Sequence, residues 1–225
     1  MKKILVSMFV TIAAMVAFSA CSSDNDDEKG LSIDKSNLSL KVSETSRITS
    51  SKGGTWVSDN EFVATVSNNG DVHGVHVGEA TVSVESGGSR ANCTVKVLPQ
   101  YSTYTEPTFA WGENANYIRS KENRAYNRSF TSGGINFDVY NGSGKERLVS
   151  YGFVNNRLTT IMVSISEEYA NELEEFIKER YQYGKYSNGT NWYAHLSSIN
   201  GELKVDMVVC SKKSSGEYIV AYSKP

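Results

Sequence analysis

The chain has 225 residues, a formal net charge of −2, 39% hydrophobic and 21% charged residues. That balance excludes a wholly disordered chain and leaves room for one or two globular domains. No basic stripe runs along it, so nucleic acid is not expected as a partner.

Met1-Lys2-Lys3 is a short positive start, and Ile4 to Phe18 is apolar apart from Ser7 and Thr11. A run of that length suits an export signal and is short for a span of roughly 20 residues. Phe18-Ser19-Ala20-Cys21 follows. Small residues before a cysteine resemble the lipobox of bacterial lipoproteins, here with Phe18 where leucine is usual. The resemblance implies cleavage before Cys21 and acylation of its thiol, with 1–20 as signal peptide. Several acyl chains together anchor a protein firmly, at about 0.8 kcal/mol per buried CH₂. Loss of Lys2 and Lys3 leaves 21 basic against 25 acidic residues. Ser22 to Glu28 is polar and acidic, so residues 21–30 read as a disordered tether. The run is also similar to the acidic export signal of Bacteroidetes surface lipoproteins, which implies an outer-membrane protein facing outward. Asp24, Asp26, Asp27 and Glu28 lack the spacing and turn glycine of a calcium loop.

From Leu31 the hydrophobic pattern has period two: Leu38, Leu40, Val42; Ala80, Val82, Val84; Ala91, Cys93, Val95, Val97. Lys52-Gly53-Gly54, Asn68-Asn69-Gly70, Val77-Gly78 and Ser86-Gly87-Gly88 punctuate these runs, as in a small β-sandwich. Trp56-Val57-Ser58-Asp59-Asn60, Val63-Ala64-Thr65-Val66, Asn69-Gly70-Asp71-Val72, Gly78-Glu79-Ala80-Thr81-Val82 and Cys93-Thr94-Val95-Lys96-Val97 occur in that order. Over residues 31–99 they resemble the group 2 bacterial Ig-like domain, a module of surface proteins including adhesins. The resemblance implies that Trp56 fills the core, that Gly70 and Gly78 make turns, and that the module spaces or presents a neighbour. His73 and His76 are expected to face solvent, with no third metal ligand nearby.

All 13 tyrosines lie from Tyr101 onward, so composition changes at the short link Leu98-Pro99-Gln100. Residues 100–225 read as an α+β domain with an antiparallel sheet and two helices. The predicted order is a helix over 113–126, strands over 129–140, 146–154 and 158–164, a helix over 166–181 capped by Ser166, and strands over 191–196, 203–210 and 216–222. This half-repeat hints at duplication. The start Phe109-Ala110-Trp111-Gly112 and the stretch Tyr151 to Leu158 loosely resemble C-terminal domains of Bacteroidetes surface lipoproteins, with no activity implied.

Glu168, Glu172, Glu175 and Glu179 are expected on a solvated helix face, with Glu174 and Lys178 as an i,i+4 pair. Cys93 and Cys210 read as small buried hydrophobes. No nucleophile elbow, phosphate loop or metal spacing occurs, so neither catalysis nor a cofactor is expected. Tyr183, Tyr186, Trp192 and Tyr193 gather around a polar loop over 183–191. Rings there could stack on sugars or anchor a protein, although packing in the core is the usual fate of such rings. The sequence therefore reads as a monomeric, non-catalytic surface lipoprotein whose Ig-like spacer presents a domain that binds glycan or protein. A small surface enzyme using His195 or paired acids, and a structural component of the outer membrane surface, are the alternatives.

Overall fold

The computed structural model describes residues 30–185, 191–195 and 207–224, with backbone alone at 183–185, 191–195, 207 and 209. Its N-terminal part is two facing sheets. One takes β1 (Asn37–Lys41), β7 (Ser89–Leu98), β6 (Gly78–Ser86) and β3 (Thr55–Ser58) in that order. The other takes β2 (Thr45–Arg47), β5 (Asp71–Gly74) and β4 (Ala64–Val66). β6 and β7 form a long hairpin in which Val82 pairs Cys93 and Ala80 pairs Val95. Alternate residues are buried along β7, and along β6 apart from Ser83, which is buried as well, close to what a half-buried sheet requires.

The core of this sandwich holds Leu40, Ile48, Trp56, Val63, Val72, Val82, Val84, Cys93, Val95 and Val97. Trp56 is 9% exposed, in the interior as expected. Gly70 is at φ +79, and a Cβ there would lie 2.2 Å from the Ile48 carbonyl oxygen and 3.1 Å from the Trp56 ring. Only glycine fits both the conformation and the space. Gly78 opens β6 at φ 157, at the margin of extended backbone rather than in the tight turn expected.

His76 departs from its predicted exposure. Its ring stacks on Phe62 with centroids 3.9 Å apart, and Nδ1 lies 2.7 Å from the Phe62 carbonyl oxygen. The neutral tautomer with hydrogen on Nδ1 satisfies that contact. Burial holds the imidazole below its ordinary value, against the opposing pull of the carbonyl. With a depressed folded pKa, the unfolded chain takes up the proton first. Stability should be full above about pH 6.5 and fall with acidification. The urea midpoint measured at pH 7.5 and 5.5 should drop in the wild type and drop less in His76→Gln. Equal drops would remove His76 from the account.

The C-terminal part is one eight-stranded antiparallel sheet, built from β8 (Tyr126–Ser132), β9 (Ile135–Asn141), β10 (Glu146–Val154), β11 (Arg157–Ser166), β12 (Gln182–Lys185), β13 (Asn191–His195), β14 (Met207–Lys212) and β15 (Glu217–Ser223). Their order across the sheet is β12-β13-β14-β15-β11-β10-β9-β8. Two four-stranded meanders thus join through β11 and β15, Val163 facing Val220. Helices α1 (Ala115–Lys121) and α2 (Ala170–Lys178) precede the two meanders, so the half-repeat is a helix plus four strands.

The strand predicted over 129–140 is in fact a hairpin. Gly133 and Gly134, at φ +59 and +79, turn the chain between β8 and β9, as a two-residue hairpin turn demands. The first helix is shorter than predicted. The second begins with a 3₁₀ turn at Glu167–Tyr169, and Ser166 makes no side-chain capping bond. α2 buries Leu173, Phe176 and Ile177 on a core with Tyr151, Ile161, Val163, Ile165, Tyr181, Val220 and Tyr222. Cys93 and Cys210 are both free and buried. Burial pushes the Cys210 thiol upward, so it stays protonated and inert.

Candidate binding surface

The predicted rings fall at one edge of the large sheet. Tyr183 lies on β12, not on a loop, opposite Ala194. Trp192 stands between Lys185 and Cys210, and Tyr193 between Gly184 and Val209, both on β13. Their side chains, and all of Tyr186 and Cys21, lie outside the described residues. Tyr181, from the same stretch, is fully buried, and its hydroxyl donates to Glu106.

Exposed rings stand at the opposite edge, formed by α1, β8 and β9. Asn114 starts α1, its Oδ1 accepting from the Tyr117 amide at 3.0 Å, which satisfies one of the open donors of the first turn. Ile118 pins the helix to the core at 0% exposure. This leaves Tyr117 40%, Tyr126 50% and Phe130 41% exposed. Phe130 stacks on Phe137 with centroids 5.0 Å apart, and the Arg128 guanidinium lies 6.0 Å from the Phe130 ring. Tyr126 meets the buried Tyr140 edge-on and has the Arg119 guanidinium 5.8 Å from its ring. Phe130 and Tyr126 thus each have one face or edge packed, a cation beside the ring and a side open to water, an arrangement suited to stacking.

Register sorts these groups by face. Phe130 pairs Phe137 and Arg128 pairs Val139, while Ser129 pairs Asp138 and Tyr126 pairs Tyr140. Asp138 is 4% exposed and accepts from Arg119 Nε and Nη2, both at 2.9 Å, and from Ser129 Oγ at 2.6 Å. The guanidinium is therefore held in one orientation while half of its side chain remains in solvent. A shallow cavity of about 320 Å³ opens here, lined by Arg119, Ser129, Phe130, Asn136, Phe137 and Asp138. Two planar polar groups beside a ring can recognise hydroxyls, carboxylates or peptide groups.

Behind α1 lies a buried charged triad. Arg124 donates through Nε to Glu146 at 2.6 Å and through Nη1 to Glu122 at 2.9 Å. Tyr151 donates to Glu122 at 2.5 Å and accepts from the Thr108 amide at 3.0 Å. Burial alone would raise the Glu122 carboxyl, but the Tyr151 hydroxyl, the Arg124 amide and the guanidinium together hold it below its ordinary value. Both acids are consumed by one arginine, so this pair offers no general acid and base. No cluster of three or more His, Cys, Asp or Glu able to hold a metal occurs among the described residues.

The predicted solvated acids divide. Glu174 pairs Lys178 at 3.1 Å as expected. Glu179, expected in solvent, is 3% exposed. Its carboxylate accepts from the Gln100 amide at 2.9 Å and the Tyr101 amide at 3.1 Å, and Arg180 pairs with it. Its carbonyl accepts from the Val77 amide at 2.7 Å. Gln100 Nε2 also donates to the Val42 carbonyl at 2.9 Å. One residue thus holds the chain at the junction and a loop of the sandwich.

The family model of the bacterial Ig-like domain (group 2) matches residues 29–97. That segment is a group 2 bacterial Ig-like domain. The match agrees with the seven strands and the Trp56 core found there. No curated protein matches the chain. Solved structures similar to it include those of the surface layer protein SbsC. Domains 1–6 match at 17% identity and TM-score 0.27, over 60% of this chain and 22% of that one. Domains 5–6 match at 15% and 0.26, over 87% and 84%. The chain thus spans about a fifth of the first of these structures. Among the described residues no helix is long and apolar enough to cross a membrane.

Proposed function

We propose that this is a non-catalytic surface lipoprotein, anchored through acylated Cys21, whose Ig-like domain spaces a C-terminal domain that binds a glycan or protein ligand. The observation that carries the binding role is the α1–β8 edge, where Tyr117, Tyr126 and Phe130 are exposed beside Arg119, Lys121 and Arg128. Exposed rings grouped at one edge, rather than scattered singly, support an interaction site. The Ig-like module and the lipobox-like start support the surface setting. A Cys21→Ser chain lacking the signal peptide can be screened against host and plant glycans and against extracellular proteins. Binding should weaken at least tenfold in Phe130→Ala and Tyr126→Ala, each folded by circular dichroism. A ligand retained at full affinity by both variants would place the site elsewhere and sink this reading of the edge.

A further inference from the structure

We infer that β8 takes up an extended acidic peptide segment of a partner protein as a ninth strand of the sheet. This rests on the binding role just assigned to the edge and specifies its mode. β8 is the last strand on its side, pairing only with β9. At seven residues it is the longest of the edge strands described, and all seven are exposed.

An edge strand leaves every second residue's N–H and C=O pointing outward, and proteins usually blunt such edges with proline, charge, brevity or a cover. β8 has no proline and one charge, Arg128. Its single irregularity is a bulge between Tyr126 and Arg128, which leaves Ser129 to Ser132 regular. Main-chain pairing there gives affinity, and flanking side chains give choice of partner.

The flanking side chains state the choice. Across residues 114–145 the bases are Arg119, Lys121, Arg124, Arg128 and Lys145, and the acids are Glu122 and Asp138 alone. Both are buried, Asp138 taken by Arg119 and Glu122 by Arg124, which also takes Glu146, while Lys145 is taken by Glu172. Lys121 and Arg128 have no carboxylate partner among the described residues. These two cations leave the edge a local positive surplus although the chain is net negative. Arg128 and Phe130 flank one face of the incoming strand, and Arg119 and Tyr126 the other. An added strand alternates its side chains between those faces, so carboxylates on either side meet a guanidinium. Self-pairing of two copies would instead bring two positive edges together.

The probe is a capped heptapeptide alternating valine and glutamate, with a lysine-for-glutamate counterpart, titrated into the Cys21→Ser chain. Hydrogen exchange should slow across 126–132, and the lysine peptide should bind at least tenfold more weakly. Arg128→Glu, at an exposed position, should narrow that preference to less than threefold. Equal binding of both peptides, no binding, or protection outside β8 would overturn the inference. So would protection of β8 that grows with protein concentration without peptide, which would mean pairing of two copies. If the peptides fail while a Phe130-dependent ligand still binds, strand addition alone is lost and the binding surface stands.

Discussion

Arg124→Met should cost about 3–5 kcal/mol of stability, the range for removing one partner of a buried ion pair. The triad is nearly closed to water, with Arg124, Glu122 and Glu146 side chains 12%, 3% and 2% exposed. Without the guanidinium, two carboxylates stay buried and the Thr105 carbonyl loses its donor. A triple variant, Arg124→Met with Glu122→Gln and Glu146→Gln, should recover most of the loss, because no lone charge remains. Urea unfolding at pH 7 measures both, and a single-variant loss under about 1 kcal/mol would contradict the burial argument.

The triad also sets an acid limit. Glu122 is depressed in the folded chain, so its contribution is present above the unfolded value near 4.5 and is lost as pH falls through the folded one. The wild type should therefore lose stability below about pH 5 more steeply than the triple variant.

Glu179→Ala should cost about 1–3 kcal/mol, since two part-buried amides and Arg180 lose a charged acceptor. Its second effect is geometric. The Gln100 and Tyr101 amides are the points at which the chain leaves the Ig-like domain. Free of Glu179, the link becomes an ordinary short connection. In ¹⁵N relaxation the two parts should tumble together in the wild type and with diverging correlation times in the variant. Unchanged joint tumbling would show that the Val77 and Val42 contacts suffice.

The Ig-like domain was legible because its strands are half-buried and its turn glycines sit between them. Val82, Val84, Cys93 and Val95 alternate in sequence as they do in the core. The α+β class of the second part was legible from the strong apolar face of α2 and the run of hairpins. Three features were not. The hairpin at Gly133-Gly134 hid inside one β-rich stretch, because polar residues on an exposed edge strand carry no alternation. The glycine pair was its available signal. Glu179 fits the helical period of Glu168, Glu172 and Glu175, but α2 ends at Lys178. The backbone at Glu179 is still helical, its amide bonded to the Glu175 carbonyl, and it is the link at Gln100 and Tyr101 that covers it. The exposure of Tyr126 and Phe130 depends on β8 being an edge, which is set by pairing between distant segments and is invisible in a local pattern.

The buried state of Cys93 and Cys210 makes one added thiol a clean reporter for the whole account. Ser132→Cys at the exposed end of β8, in cells making the full chain, can be treated with a membrane-impermeant maleimide before lysis. An outward-facing anchored stalk predicts labelling on intact cells, and loss of the labelled protein from the membrane fraction when Cys21→Ser is added. Labelling only after lysis, or unchanged membrane retention in the Cys21→Ser chain, would contradict it.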